Sequence, residues 1–306
     1  MEARRVTVVG GANTDICGRP AHALVRHDSA PGHVSVRHGG VGRNIACDLA
    51  RLGLRTRFVT ALGDDGFGAS VREGCLSCGV DMSLARVIPG ARSPVYLYLS
   101  DEKGEMDAAV SDMEAIERLT PDALRGILGE IDDADAVVLD GNLPAETIAF
   151  LCERLSAPIV ADPVSTAKAL RFAPVLGRLA AIKPNLMEAR ALTGKDSAGD
   201  CADALLRAGV GSVFLSLGAD GLLAASGEER LLLPCEKAEI VSATGAGDAF
   251  TAALAWARLT RPELPMGDAA ILGMAAAALA MASPETVNPD MTADAVLRLA
   301  EPLLSL

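Results

Sequence analysis

Thr244-Gly245-Ala246-Gly247-Asp248 sets a carboxylate at the end of a glycine turn, and an apolar run without proline or glycine follows over residues 249–259. Such a run reads as a buried helix, so the turn lies at a helix N-terminus. Glycines there turn tightly and leave their N–H groups uncovered. Free amides and the helix dipole together favour an anion. A carboxylate in the same turn repels that anion unless it has work to do there. Asp248 therefore suits a general base taking the proton from a hydroxyl that attacks a phosphate. Aspartate is also a good helix cap, and this turn alone leaves both roles open.

A second glycine-rich turn, Gly39-Gly40-Val41-Gly42-Arg43-Asn44, leads into a helix expected over about 43–52 and stopped by Gly53. No Gly-Lys-Ser/Thr follows, so it is not a Walker loop. Gly39, Gly40 and Gly42 let a flat polyol lie against the backbone. Asn44 can bond a hydroxyl, and Arg43 can reach a carbonyl-rich ring or a phosphate. Asn13 and Asp15, just past the first strand, can grip a diol with paired donor and acceptor bonds, or form an ordinary Asx turn. Asn185 and Glu188, three apart at a helix start, share a face. They suit Mg²⁺ held through water, and equally a capping box. Ser216 with Gly218 and Gly221 can carry a nucleotide's phosphates or ribose, or be a plain strand-to-turn connection.

The elements that must position these residues follow an α/β pattern. Residues 6–9 form a short apolar strand ended by Gly10-Gly11. Residues 57–62 form the next. From Pro121 onward, strands at 134–139, 159–161, 180–182 and 212–217 alternate with helices, which predicts a doubly wound, mostly parallel sheet. Polar residues recur just past the strand ends, Asn142 and Asp162 among them, where the active edge of such a sheet lies. Residues 93–100 alternate apolar and aromatic, Asp101-Glu102-Lys103-Gly104 turns, and 105–110 returns as a hairpin. With the polar excursion at 16–38, this hairpin makes a small β lid, about 16–38 and 92–111. No linker or repeat divides residues 1–306, which read as a single domain with that lid.

Composition narrows the function classes. The net charge of −12 argues against nucleic acid or an anionic membrane as the main partner. The most apolar stretch, residues 269–284, is shorter than the ~20 residues of a membrane span. No secretory leader pattern precedes the first strand, and the seven scattered cysteines fit a reducing, cytoplasmic setting. Cys75-x-x-Cys78 has no second pair, so a structural role is expected. The spacing of His22, His27, His33 and His38 fits no usual ligand pattern.

Taken together, Gly39-Gly40-x-Gly42-x-Asn44 and Thr244-Gly245-Ala246-Gly247-Asp248 resemble the two signatures of the ribokinase-like carbohydrate kinases. Asn13-x-Asp15, Asn185-x-x-Glu188 and Gly218-x-x-Gly221 fall in the matching order, so the resemblance covers nearly the whole chain. It implies a phosphotransferase using Mg²⁺ and ATP on a 5′- or terminal hydroxyl. Asp248 would be the base, and Gly245, Ala246 and Gly247 the anion hole. Asn185 and Glu188 would organise the metal. Asn13, Asp15, Gly39, Gly40, Gly42, Arg43, Asn44, Asn142 and Asp162 would line the acceptor side. Asn185, Ser216, Gly218, Gly221, Thr244 and Asn288 would line the nucleotide side, Asn288 within an adenine loop at about 282–290. Asp112, ending the hairpin that folds over the acceptor, could accept a bond from a base N–H. The forms around Val41 and Arg43 are closer to a nucleoside-phosphorylating branch than to ribokinase itself. Ribokinase carries an acidic residue at its monovalent-cation site where this chain has Ser242, so potassium use is not carried over. The resemblance also implies a homodimer through the lid. Three other readings stand beside this one. One is another sugar or nucleoside kinase of the same family, such as a ribokinase or an adenosine- or inosine-type kinase. Another is a nucleoside sensor on the same fold, against which an intact Asp248 and anion hole speak. The last is a dinucleotide-dependent dehydrogenase, for which the chain lacks a Gly-x-Gly-x-x-Gly turn after the first strand.

Overall fold

The computed structural model describes residues 4–24, 27–101, 106–235 and 240–304. In chain order the strands are β1 (Arg5–Val9), β2 (Asn13–Pro20), β3 (Gly32–Gly39), β4 (Arg55–Val59), β5 (Ala61–Gly63), β6 (Arg86–Ile88), β7 (Val95–Ser100), β8 (Met106–Asp112), β9 (Ala136–Asp140), β10 (Ile159–Asp162), β11 (Leu179–Ile182), β12 (Val213–Ser216), β13 (Leu222–Ser226) and β14 (Glu229–Leu233). The main sheet runs β14-β13-β12-β11-β10-β9-β1-β4. Its pairs are parallel from β4 to β12, and β13 and β14 add an antiparallel edge. This is the expected α/β sheet, with a terminal hairpin the sequence reading did not include.

Both faces of the sheet are covered, which is why its strands read as continuous apolar runs. Val6 and Val8 pack on one side with Phe58, Phe214 and the helix Ala246–Thr260; Val9 packs on the other with Leu139, Phe172 and Leu215. The alanine-rich helices Ala246–Thr260 and Met266–Met281 approach closely, and a Cβ on Gly273 would lie 2.7 Å from the Phe250 ring. Cys47 and Cys75 are buried in one apolar cluster with Cys78 packed against it, so the Cys75-x-x-Cys78 pair sits in a packing contact.

The lid is a second sheet, ordered β3-β2-β7-β8. It begins earlier than expected, at Asn13, and so carries Asn13 and Asp15 on a lid strand. Its return strand runs on to Asp112. The turn expected at Asp101-Glu102-Lys103-Gly104 lies, from Glu102 on, outside the described residues. The single strand expected over 57–62 is two, β4 in the main sheet and β5 paired with β6. No described helix is long and apolar enough to cross a membrane.

Candidate active site

The C-terminal ends of β1, β9, β10, β11 and β12 lie along one edge of the sheet, where an open α/β fold places its ligands. Gly245 stands at the start of the helix Ala246–Thr260 with φ +88, and a Cβ there would overlap the Thr286 carbonyl. Only glycine fits this turn without strain. Asp248 follows in the first turn of a helix whose N-cap, Gly245, offers no side-chain cap bond. Asn44, 204 residues away, instead donates its Nδ2 to Asp248 Oδ2 at 2.7 Å. Arg43 Nη1 donates to Asn44 Oδ1 at 3.1 Å, which fixes the amide with its donor facing the carboxylate. Burial pushes the Asp248 carboxyl up to about 7; the Asp162 and Asp140 charges add to this, while the Asn44 bond and Lys183 oppose it. That value suits a base working near neutral pH.

Beneath the glycine turn lies a buried cation. Lys183 follows β11, and its Nζ is 3.5 Å from Asp162 Oδ2. A Cβ on Gly247 would lie 2.6 Å from that same Nζ. Burial works against the ammonium, but the charges of Asp162, Asp248 and Glu188 outweigh it and raise its pKa. A charged amine under a helix N-terminus can meet a phosphoryl group. Sequence inspection passed over Lys183, although a lone lysine ending an apolar strand is a signal.

On the acceptor side, Asn13 Nδ2 donates to Asp15 Oδ1 at 2.6 Å. Asp15 is raised above the usual carboxylate range by burial, against that bond and the charges of Arg43 and Arg37. Gly39 lies across from Asn13 in the lid register, and a Cβ on it would overlap the Asp15 carboxylate. Gly40 has φ +98 and abuts Gly11 and Ala12. Asn142 accepts from Lys168 Nζ at 2.6 Å and donates to Asp140 Oδ2 at 3.1 Å.

Three of the expected acceptor residues already have partners within the protein. Arg43 is buried, and its Nη1 donates to the His38 carbonyl at 3.3 Å and to Asn44 Oδ1. Asp162 is turned inward to Thr251 Oγ1 at 2.9 Å, Val164 N at 3.0 Å and Lys183. Asp112 is held by Arg92 at 2.9 Å and by the Glu114 amide at 3.3 Å. Sequence spacing does not report these partners.

Among the residues expected to meet the nucleotide, Asn185, Ser216 and Gly218 line an open hollow of about 290 Å³ together with Leu186, Met187, Leu217 and Asp220. Gly218 and Gly221 both have positive φ, and a Cβ on Gly221 would overlap the Leu233 carbonyl. Thr244 is exposed beside the Gly245 turn. Asn288 is buried and braces its loop, donating to the Leu279 carbonyl at 2.6 Å and accepting from Asp290 N at 2.8 Å. Asn185 and Glu188 form the capping box, with reciprocal bonds of 2.9 Å. The box engages Glu188 Oε2 and leaves Oε1 outside it, so the oxygen donors fit Mg²⁺ taken through water. Glu188→Gln is expected to raise the Mg²⁺ concentration needed for half-maximal rate several-fold. An unchanged Mg²⁺ titration would leave Glu188 with its capping role alone.

Comparison with known proteins places the chain in a family. The pfkB family carbohydrate kinase profile matches residues 3–293. The chain is 32% identical to the pseudouridine kinase of Escherichia coli over 306 residues, covering 97% of this chain and 96% of the relative. A carbohydrate kinase from Agrobacterium tumefaciens superposes with a TM-score of 0.86 at 29% identity, over 99% of this chain and 98% of the other. Arabidopsis thaliana ribokinase, solved with ribose and ATP, shares the fold with a TM-score of 0.85 at 24% identity, over 98% and 99% of the two chains. The chain therefore belongs to the pfkB family of carbohydrate kinases and is a phosphotransferase acting on an alcohol group.

Proposed function

We propose that the protein transfers the γ-phosphoryl group of ATP to the 5′-hydroxyl of pseudouridine, giving pseudouridine 5′-phosphate and ADP. The observation that carries this reading is the Asn44–Asp248 bond of 2.7 Å, which joins the acceptor cradle to a base at the lip of an anion-binding turn. Whole-length kinship to a pseudouridine kinase supports the choice of acceptor. Asn13 and Asp15 hold the ribose diol, and Asn44 keeps the base aimed. Asp248 takes the hydroxyl proton as the oxygen attacks phosphorus. The amides of residues 245–247 and the Lys183 ammonium meet the charge spread over the transferred phosphoryl oxygens. ADP leaves on the side of the 290 Å³ hollow. Mg²⁺ would be held from Glu188 and Asn185 and would neutralise phosphate charge there.

The test is a phosphorylation screen over pseudouridine, uridine, adenosine, inosine, ribose and fructose 6-phosphate. Pseudouridine carries a ring N–H that uridine lacks, and a site with an acceptor for it rejects the analogue by up to ~10⁴-fold. Pseudouridine is expected to lead in kcat/KM. Equal use of uridine or adenosine would leave only the family assignment, with another nucleoside or sugar as substrate. No phosphorylation of any acceptor would favour a nucleoside sensor.

The lid supports a homodimer. Val36, Ile16, Leu97 and Val110 align across its four strands, and Val34, Gly18, Leu99 and Ala108 form the next row. By strand alternation this face lies opposite Asp15, and Val34, Val36 and Val110 are 66%, 59% and 65% exposed. A continuous apolar face of this kind marks an interaction surface. Val36→Lys is expected to shift the protein from dimer to monomer in light scattering. A monomeric wild type would end this reading.

A further inference from the structure

Asp140 was not among the residues singled out by sequence, yet two glycine turns of the acceptor cradle hang on it. It is the last residue of β9 and is completely buried. Its Oδ2 accepts from Gly11 N at 2.8 Å and Gly42 N at 2.7 Å. Asn142 supplies the remaining bonds, Nδ2 to Oδ2 at 3.1 Å and N to Oδ1 at 2.8 Å. Gly11 stands two residues before Asn13, and Gly42 two residues before Asn44. A single carboxylate oxygen thus links the turn that presents the diol-binding pair to the turn that presents the partner of the base. The room for it is made by glycine: a Cβ on Gly10 would lie 2.5 Å from Oδ2, and one on Gly42 2.9 Å. The turns also meet directly, through Arg43 N to the Gly11 carbonyl at 3.0 Å.

We propose that Asp140 is a positioning residue for phosphoryl transfer, whose carboxylate holds these two turns at the spacing that forms the acceptor site. The proposal rests on the acceptor lying between Asn13 and Asn44, as read above. Every bond to the carboxylate comes from an N–H, so it is built for the ionised, acceptor-only form. Protonation puts an O–H among four N–H donors, and at least one of them loses its partner.

Burial pushes the Asp140 carboxyl up to about 6, against the N–H bonds that pull it down. The charged groups around it are Lys168 and Arg171 after β10, Asp162 beside it in the sheet register, and Asp248 on the catalytic helix. Acidification through about 6 therefore loosens the cradle. It does not unfold the protein through this group. The folded value lies above the ordinary 3.8, so the contribution of Asp140 to stability increases as pH falls from about 6 toward 3.8.

The test has two arms. In ¹⁵N-labelled protein, the Gly11 and Gly42 amide shifts are expected to titrate together with a midpoint near 6. This arm needs no substrate, so it stands even if the acceptor assignment fails. In an Asp248→Asn background, which removes the titration of the base, calorimetry with the preferred acceptor of the screen is expected to show binding about tenfold weaker at pH 5 than at high pH. ATP affinity should stay within twofold. Adding Asp140→Asn should leave acceptor affinity weak and flat with pH. A step that persists in Asp140→Asn belongs to Asp15 and overturns the proposal. Amides that do not move, or acceptor affinity that holds at pH 5, overturn it as well. If Asp140→Asn fails to fold, the amide titration and the Asp248→Asn calorimetry still decide.

Discussion

Asp248→Asn is expected to lower kcat by ~10²–10⁴-fold, the usual contribution of a general base, with acceptor and ATP affinities nearly unchanged. The variant keeps the shape of the side chain, and its amide oxygen can still accept from Asn44 Nδ2. What it loses is the ability to take a proton. In the wild type, kcat at saturating acceptor should fall about tenfold per pH unit below about 7, because the base works only when ionised. The variant should lack this limb. Stability moves in the opposite direction. The folded carboxyl sits near 7 rather than 3.8, so the stability linked to its protonated form is full below 3.8 and is lost as pH rises through about 7. Removing the charge should therefore raise Tm at pH 8. Near-wild-type turnover in Asp248→Asn would reduce Asp248 to an element of the helix start.

Gly245→Ala is expected to lower kcat by ~10²–10³-fold, as when one oxyanion donor is lost. The residue has φ +88, a conformation costing a side-chain-bearing residue ~1–3 kcal/mol. The new methyl would also overlap the Thr286 carbonyl and crowd Thr286 Cγ2 at 3.3 Å. The obstructing atom is backbone, so the glycine turn itself must move, and its amides lose their aim. Tm should fall as well. A drop in Tm with kcat within threefold of wild type would mean that the turn only starts the helix and does not meet the phosphoryl group.

The sequence alone determined the α/β class, because apolar strands alternating with helices can bury both faces of a sheet in few ways. It also determined the two glycine turns, since a positive φ at Gly40 and Gly245 is a local demand that glycine meets. Asn185 and Glu188 were legible for the same reason: a three-residue spacing on a helix start is local, and the capping box is there. The tertiary structure decided which groups meet. Asn44 and Asp248 are 204 residues apart, and the Gly42 amide and Asp140 are 98 apart. No periodicity encodes such pairs; they arise because parallel strands bring their C-terminal ends to one edge. The structure also decided where charged side chains point. Arg43 and Asp162 carry the right chemistry for an acceptor site, yet both are drawn inward by buried partners. A charge removed from water gains most from the nearest group able to compensate it, and only the packed core shows which group that is.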